Sequence, residues 1–129
     1  MATDLSISVV DDDESFRLAI VGSLRSLGYG ANGFASAEEF IAGNGAESCD
    51  CVITDLHMRG MSGIDLIRHL QAQGSTVPII MITGRPEPGL EPKAAALGTI
   101  CLLRKPFETD ALIHCLEKAV SKPAGKTLL

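Results

Sequence analysis

Two apolar stretches of this chain end in acid: Asp55 follows the run 51–54, and Asp11, Asp12, Asp13 and Glu14 follow the run 5–10. A buried strand rewards apolar residues, and folding alone does not ask for carboxylates at its tip. If both runs are parallel strands of one sheet, their carboxyl ends share an edge, where open α/β sheets bind ligands. Three or four carboxylates would then crowd one crevice. Like charges that close repel and raise one another's pKa, so a divalent cation among them makes the arrangement tolerable. An all-oxygen site favours a hard ion, and a shallow one that keeps several waters favours magnesium.

The elements that must position these acids alternate between strand and helix patterns. After the run 5–10, Phe16, Ile20, Leu24 and Leu27 recur at helical spacing, and Gly28 supplies a stop. A weak strand follows at 31–34. Ser36 and Glu39 spell a capping box that opens a short helix carrying Phe40 and Ile41. The run 51–54 is a third strand, and Ser62 caps a helix bearing Ile64, Ile67 and Leu70 that ends near Gly74. A strand over 77–82 leads into Thr83 and Gly84. Pro86, Pro88 and Pro92 then delay the next helix to 93–97. The run 100–103 is a fifth strand, and Leu112, Ile113, Leu116, Ala119 and Val120 mark the last helix. This (βα)5 order predicts an α/β domain, a parallel sheet with helices on both faces. Ser6 and Ser8 interrupt the first strand, where a central parallel strand is usually apolar throughout. Serine is small enough to lie under a helix.

The chain has 129 residues, which suits one domain. Residues 1–121 are assigned to it, and 122–129, with Pro123 and Gly125, to a flexible tail or the start of a linker. With four Phe, one Tyr and no Trp, aliphatic residues must do most of the packing. A net charge of -5 argues against direct nucleic-acid binding, which wants a basic face. No run approaches the roughly 20 apolar residues of a membrane span, and the N-terminus lacks the regions of a secretory signal, so a cytoplasmic location is expected. Cys49, Cys51, Cys101 and Cys115 lack the paired spacing of a zinc site and read as free thiols. Gly28, Gly30 and Gly33 spell a dinucleotide fingerprint, but one that ends a helix and enters a strand, the reverse of what phosphate binding requires.

The segments VVDDDES, VITDLHM, MITG and LRKPF, each at the end of a strand, together resemble the receiver domain of two-component response regulators, in order and spacing, over residues 5–120. The resemblance implies a flavodoxin-like, doubly wound sheet of five parallel strands in the order 2-1-3-4-5. It makes Asp55 the phosphoacceptor, a role its chemistry allows because a carboxylate can attack phosphorus. Asp11 and Asp12 would hold magnesium together with Asp55 and the backbone carbonyl of His57, whose imidazole is expected to be exposed and incidental. Lys105, joined to Pro106 by a cis peptide, would pair with a phosphoryl oxygen. Thr83 would hydrogen-bond another, and Gly84 leaves the approach open.

The phosphodonor implied is a sensor histidine kinase or a phosphotransfer protein, and the output a downstream protein or a fused output domain. No membrane and no direct contact with nucleic acid are implied, and the family's usual dimer surface at the fourth and fifth elements leaves room for a homodimer. The activity is self-phosphorylation from a donor and slow loss of the group, not that of an enzyme. Three departures stand out. Leu102 replaces a usual aromatic, which leaves less volume change to transmit a signal. Arg59 replaces a frequent proline, which loosens the loop and sets a cation near the acids. The prolines of residues 86–92 predict a short or displaced fourth helix. A phosphorylation-independent interaction domain and an aspartyl-phosphate phosphohydrolase are the competing readings. The full acid, threonine and lysine set argues against the first. Against the second stand His57, where such hydrolases carry a second acid, and the lack of a cap domain.

Overall fold

The structure, a computed structural model, describes residues 5–43, 48–85 and 87–121. In chain order these form β1 (Ser6–Val10), α1 (Glu14–Ser26), β2 (Gly30–Phe34), α2 (Ala37–Ala42), β3 (Cys51–Asp55), α3 (Gly63–Ala72), β4 (Ile79–Thr83), α4 (Leu90–Ala96), β5 (Cys101–Arg104) and α5 (Thr109–Ser121). The strands make one parallel sheet in the order β2-β1-β3-β4-β5, as expected. Chain direction across the sheet reverses at β1, so a crevice opens between the carboxyl ends of β1 and β3. The register pairs Val10 with Thr54, Asp55 with Ile82 and Thr83 with Arg104. Asp11, Asp55, Thr83 and Lys105 therefore leave the sheet along one edge.

Because strand side chains alternate, the sheet divides the core into two layers. Ile7, Val9, Ile53, Ile80, Ile82 and Leu103 meet Ile20, Val21 and Leu24 of α1 and Leu112, Leu116 and Ala119 of α5. On the other face Val10, Val52, Ile79 and Met81 meet Phe40 of α2, Leu66, Ile67 and Leu70 of α3, and Leu90 and Ala94 of α4. Ser8 is buried, as a small residue under a helix can be.

Helix ends follow local chemistry. Asp13 caps α1 by accepting from the Phe16 amide, and Gly28, at φ 98, ends it in the left-handed region that disfavours other residues. Ser36 accepts from the Glu39 amide, but the Glu39 carboxylate reaches the Ala35 amide, one residue short of a closed box. The reciprocal box forms instead at α3, between Ser62 and Asp65.

Helix α4 begins at Leu90, not after Pro92. The first N–H groups of a helix have no acceptor within it, so a proline in the first turn costs no hydrogen bond. The prolines do exclude a helix from Arg85 onward, and α4 has only seven residues. No helix among the described residues is long and apolar enough to cross a membrane. The tail assigned to 122–129 lies outside the described residues.

Candidate functional site

Lys105 organises the edge. Its Nζ lies 3.1 Å from Asp11 Oδ2 and 3.1 Å from Asp55 Oδ2. The backbone beneath it is held by a 2.7 Å bond from the Lys105 amide to the Thr83 carbonyl, and the Lys105–Pro106 peptide is cis. The ammonium also sits 4.1 Å above the Phe16 ring, which meets Phe107 edge to face. A cation over an aromatic face is attracted by the ring quadrupole, so Phe16 braces the lysine from the helix side. Sequence reasoning assigned Phe16 to the helix core alone, since nothing local links positions 16 and 105.

The carboxylates are placed as tightly. The Asp55 side chain accepts from the His57 amide through Oδ1 at 3.1 Å and from Lys105 through Oδ2. Asp11 accepts from the Asp13 amide at 2.9 Å. Asp12 Oδ2 accepts from the Arg59 amide at 3.0 Å. Carboxylate oxygens of Asp11, Asp12 and Asp55 lie within 4.8 Å of one another, a spacing and a donor set that suit a hard divalent cation. Asp11 Oδ2 is buried and accepts no well-aligned hydrogen bond, although Lys105 stands beside it. An oxygen left this way, among two other acids, fits a metal ligand.

Burial is the largest influence on Asp11. It raises the carboxyl pKa above the usual range, opposed by the hydrogen bond from Asp13, while the charge of Asp55 raises it further. For Lys105 burial pulls the other way, but its close pairing with the carboxylates of Asp11 and Asp55 outweighs it and holds the ammonium pKa high. The Lys105 pairing contribution is therefore present below its ordinary pKa and lost as pH rises through the raised one. For Asp11 the folded state holds the extra proton, so its contribution is full in acid and lost as pH rises from 3.8 through the raised pKa. In metal-free buffer Asp11→Asn is expected to be more stable than the parent near neutral pH. The difference should shrink toward pH 3.8 and reverse when magnesium is added. Thermal melts across pH, with and without chelator, check this.

Thr83 is buried at the end of β4, on the same edge. Its Oγ1 donates to the Arg85 carbonyl and accepts from the Arg85 amide, each at 3.1 Å, so the hydroxyl is engaged by its own loop. The imidazole of His57 is partly exposed. Its Nε2 lies 3.2 Å from Glu87 Oε1, which joins the loop after β3 to the segment before α4. Arg59 adds the expected cation, with Nε 3.8 Å from Asp12 and a side chain 94% exposed. Its loop is not loose: amides of His57, Arg59 and Met61 are each fixed by a carboxylate, the last by Glu38. Leu102 is half-buried against the layer that holds α4.

One site residue left no signal in its type. A side chain on Gly63 would collide with the Asp55 carbonyl oxygen and the Leu56 Cα, both backbone, while its amide donates to the Leu56 carbonyl at 3.0 Å. Backbone yields poorly, so Gly63→Ala is expected to cost about 2 kcal/mol and to displace Asp55. A lower melting temperature together with weakened magnesium binding would show both effects.

The response regulator receiver domain model matches residues 7–117, and the chain belongs to that family. It is 36% identical over 129 residues to the transcriptional regulatory protein FixJ of Bradyrhizobium diazoefficiens, an alignment covering 98% of this chain and 63% of that protein. With the C4-dicarboxylate transport transcriptional regulatory protein DctD of Rhizobium meliloti it shares 33% over 122 residues, 95% of this chain and 26% of that one. The chain thus spans less than two thirds of the length of these relatives. Among solved structures, FixJ-N superposes with a TM-score of 0.82 at 30% identity over 98% of each chain. Response regulator StyR gives 0.87 at 34%, over 96% of this chain and 63% of that one. The chain is a receiver domain of two-component response regulators, with an acidic pocket formed by Asp11, Asp12 and Asp55.

Proposed function

We propose that Asp55 accepts a phosphoryl group from a sensor histidine kinase or a phosphotransfer protein, and that the modified domain changes conformation to signal onward. The observation that carries this reading is the convergence of one lysine and three carboxylates on a single recess at the carboxyl edge of the sheet. Asp11, Asp12, Asp55 and the His57 carbonyl would hold magnesium. Bound there, the ion supplies positive charge to the oxygens of the transferring group.

The chain's own residues supply position. The His57 amide and Lys105 hold the two oxygens of Asp55 from different sides, which fixes the plane of the carboxylate. A bond forms from a carboxylate oxygen to phosphorus as the bond from phosphorus to the donor nitrogen breaks, so orientation and charge are most of what catalysis requires. The product adds charge and three strong acceptors beside Lys105 and near the end of β4. Thr83 then exchanges its Arg85 partners for a phosphoryl oxygen, and the loop they close is released. That exchange is the differential contact that shifts the domain between two conformations. FixJ and DctD are transcriptional regulatory proteins, which favours a fused output domain as the recipient of the signal.

The test is incubation with magnesium and acetyl phosphate, followed by intact mass. One labile phosphoryl addition is expected. No addition would favour a domain that works by contact alone, and sustained turnover of many phosphate esters would favour a hydrolase. Thr83→Ala is expected to take up the group at Asp55 yet lose most of the change that follows in α4 and β5, as read by amide hydrogen exchange.

A further inference from the structure

The fold sorts the four cysteines. Cys49 packs in the layer with α2, α3 and α4, whereas Cys51, Cys101 and Cys115 belong to the layer with α1 and α5. Cys49 and Cys51 therefore meet opposite faces of the sheet. Cys51 lies on β3 and Cys101 on β5, with β4 between them. Two strand spacings are about 9.5 Å, beyond the roughly 7 Å that a disulfide can span between Cα atoms. Cys101 and Cys115 differ, because α5 folds back over β5 and brings the two sulfurs to disulfide-bonding distance.

We propose that Cys101 and Cys115 form a reversible oxidation site, taking a peroxide as oxidant and closing an intramolecular disulfide that clips α5 to β5. Cys101 is half-buried and open to a small oxidant, while Cys115 is 4% exposed. Cys101 sulfur attacks one peroxide oxygen, the O–O bond breaks, and a sulfenic acid and water result. Cys115 sulfur then attacks that sulfur, the S–S bond forms, the S–O bond breaks and a second water leaves. Both thiol hydrogens end in water, the two sulfurs are oxidised and the peroxide is reduced. A small thiol in excess reverses the bond by exchange.

The remaining thiols do not compete. Burial, with the neighbouring Cys49 and Asp50, pushes Cys51 up to about 12, and burial also raises Cys49. Little thiolate is available at either. The bridge would enclose residues 101–115, the segment that carries Leu102, Lys105 and the start of α5. An oxidising signal would thus reach the strand that presents Lys105 without touching the carboxylates, and this proposal stands whether or not Asp55 is phosphorylated.

The chain, treated with hydrogen peroxide and kept from reductant, is expected to lose two hydrogens by intact mass and to yield one peptide pair joined through Cys101 and Cys115. Dithiothreitol should restore the parent mass. The oxidised form should melt about 10 °C higher, and Cys101→Ser and Cys115→Ser should each lack both the bridge and the shift. If either variant fails to fold, alkylation of the oxidised parent decides: joint protection of positions 101 and 115, with 49 and 51 unlinked, supports the site. Oxygen addition without a bridge, a bridge through Cys49 or Cys51, or a bridge between two chains overturns it.

Discussion

Asp55→Asn is expected to take up no phosphoryl group from acetyl phosphate in the presence of magnesium, with the rate of uptake falling on the order of 10⁴-fold or more. The amide preserves shape and can still accept from the His57 amide, so the fold should be unchanged. What it lacks is the nucleophile: an amide oxygen carries no full negative charge and cannot form a stable acyl phosphate. The variant also removes one of two charges that face Lys105, so Asp11 should gain a larger share of that ammonium. Intact mass after donor treatment checks the loss. A melt near that of the parent separates it from unfolding. Labelling of the variant at the parental rate would place the acceptor elsewhere and end the proposed mechanism.

Lys105→Ala should have the second largest effect, and it appears in two measurements. Removing the cation leaves Asp11 and Asp55, 1% and 6% exposed, facing each other without compensation. Breaking a buried ion pair costs about 3–5 kcal/mol, and with the lysine side chain 20% exposed the lower end of that range applies. The metal-free variant should therefore melt roughly 10 °C below the parent. Magnesium should recover much of that loss, because a divalent ion replaces the missing positive charge between the same carboxylates. Uptake of the phosphoryl group should slow by about 10²–10³-fold, as when a fixed donor to developing charge is removed. Melts with and without magnesium, beside the rate of labelling, read both effects. A variant as stable as the parent in chelator would mean that the lysine does not balance the acids.

Much of this was legible in the residues. Strand alternation and helical periodicity are set within a few positions, and so are caps such as Ser36 and Ser62. These local signals yielded five strand and five helix assignments, with their boundaries displaced by a few residues. Helix α4 starts ahead of Pro92, contrary to the sequence expectation, because the cost of a proline depends on its position in the turn. The candidate site was visible because acids, a threonine and a lysine stand at the ends of four separate strands, and parallel strands present those ends together.

Other features were decided only by the tertiary structure. Phe16 supports Lys105 across an interval that no periodicity connects. Glu87 meets His57 because the β3 and β4 ends are neighbours in the sheet. Gly63 looks like any glycine at a helix start until the Asp55 carbonyl is found against its Cα. Cys101 and Cys115 become neighbours only when α5 folds back over β5. Backbone preference and capping act between residues close in the chain, so composition and spacing reveal them. Contacts between distant residues depend on how whole elements pack, and that packing is chosen by the entire core at once.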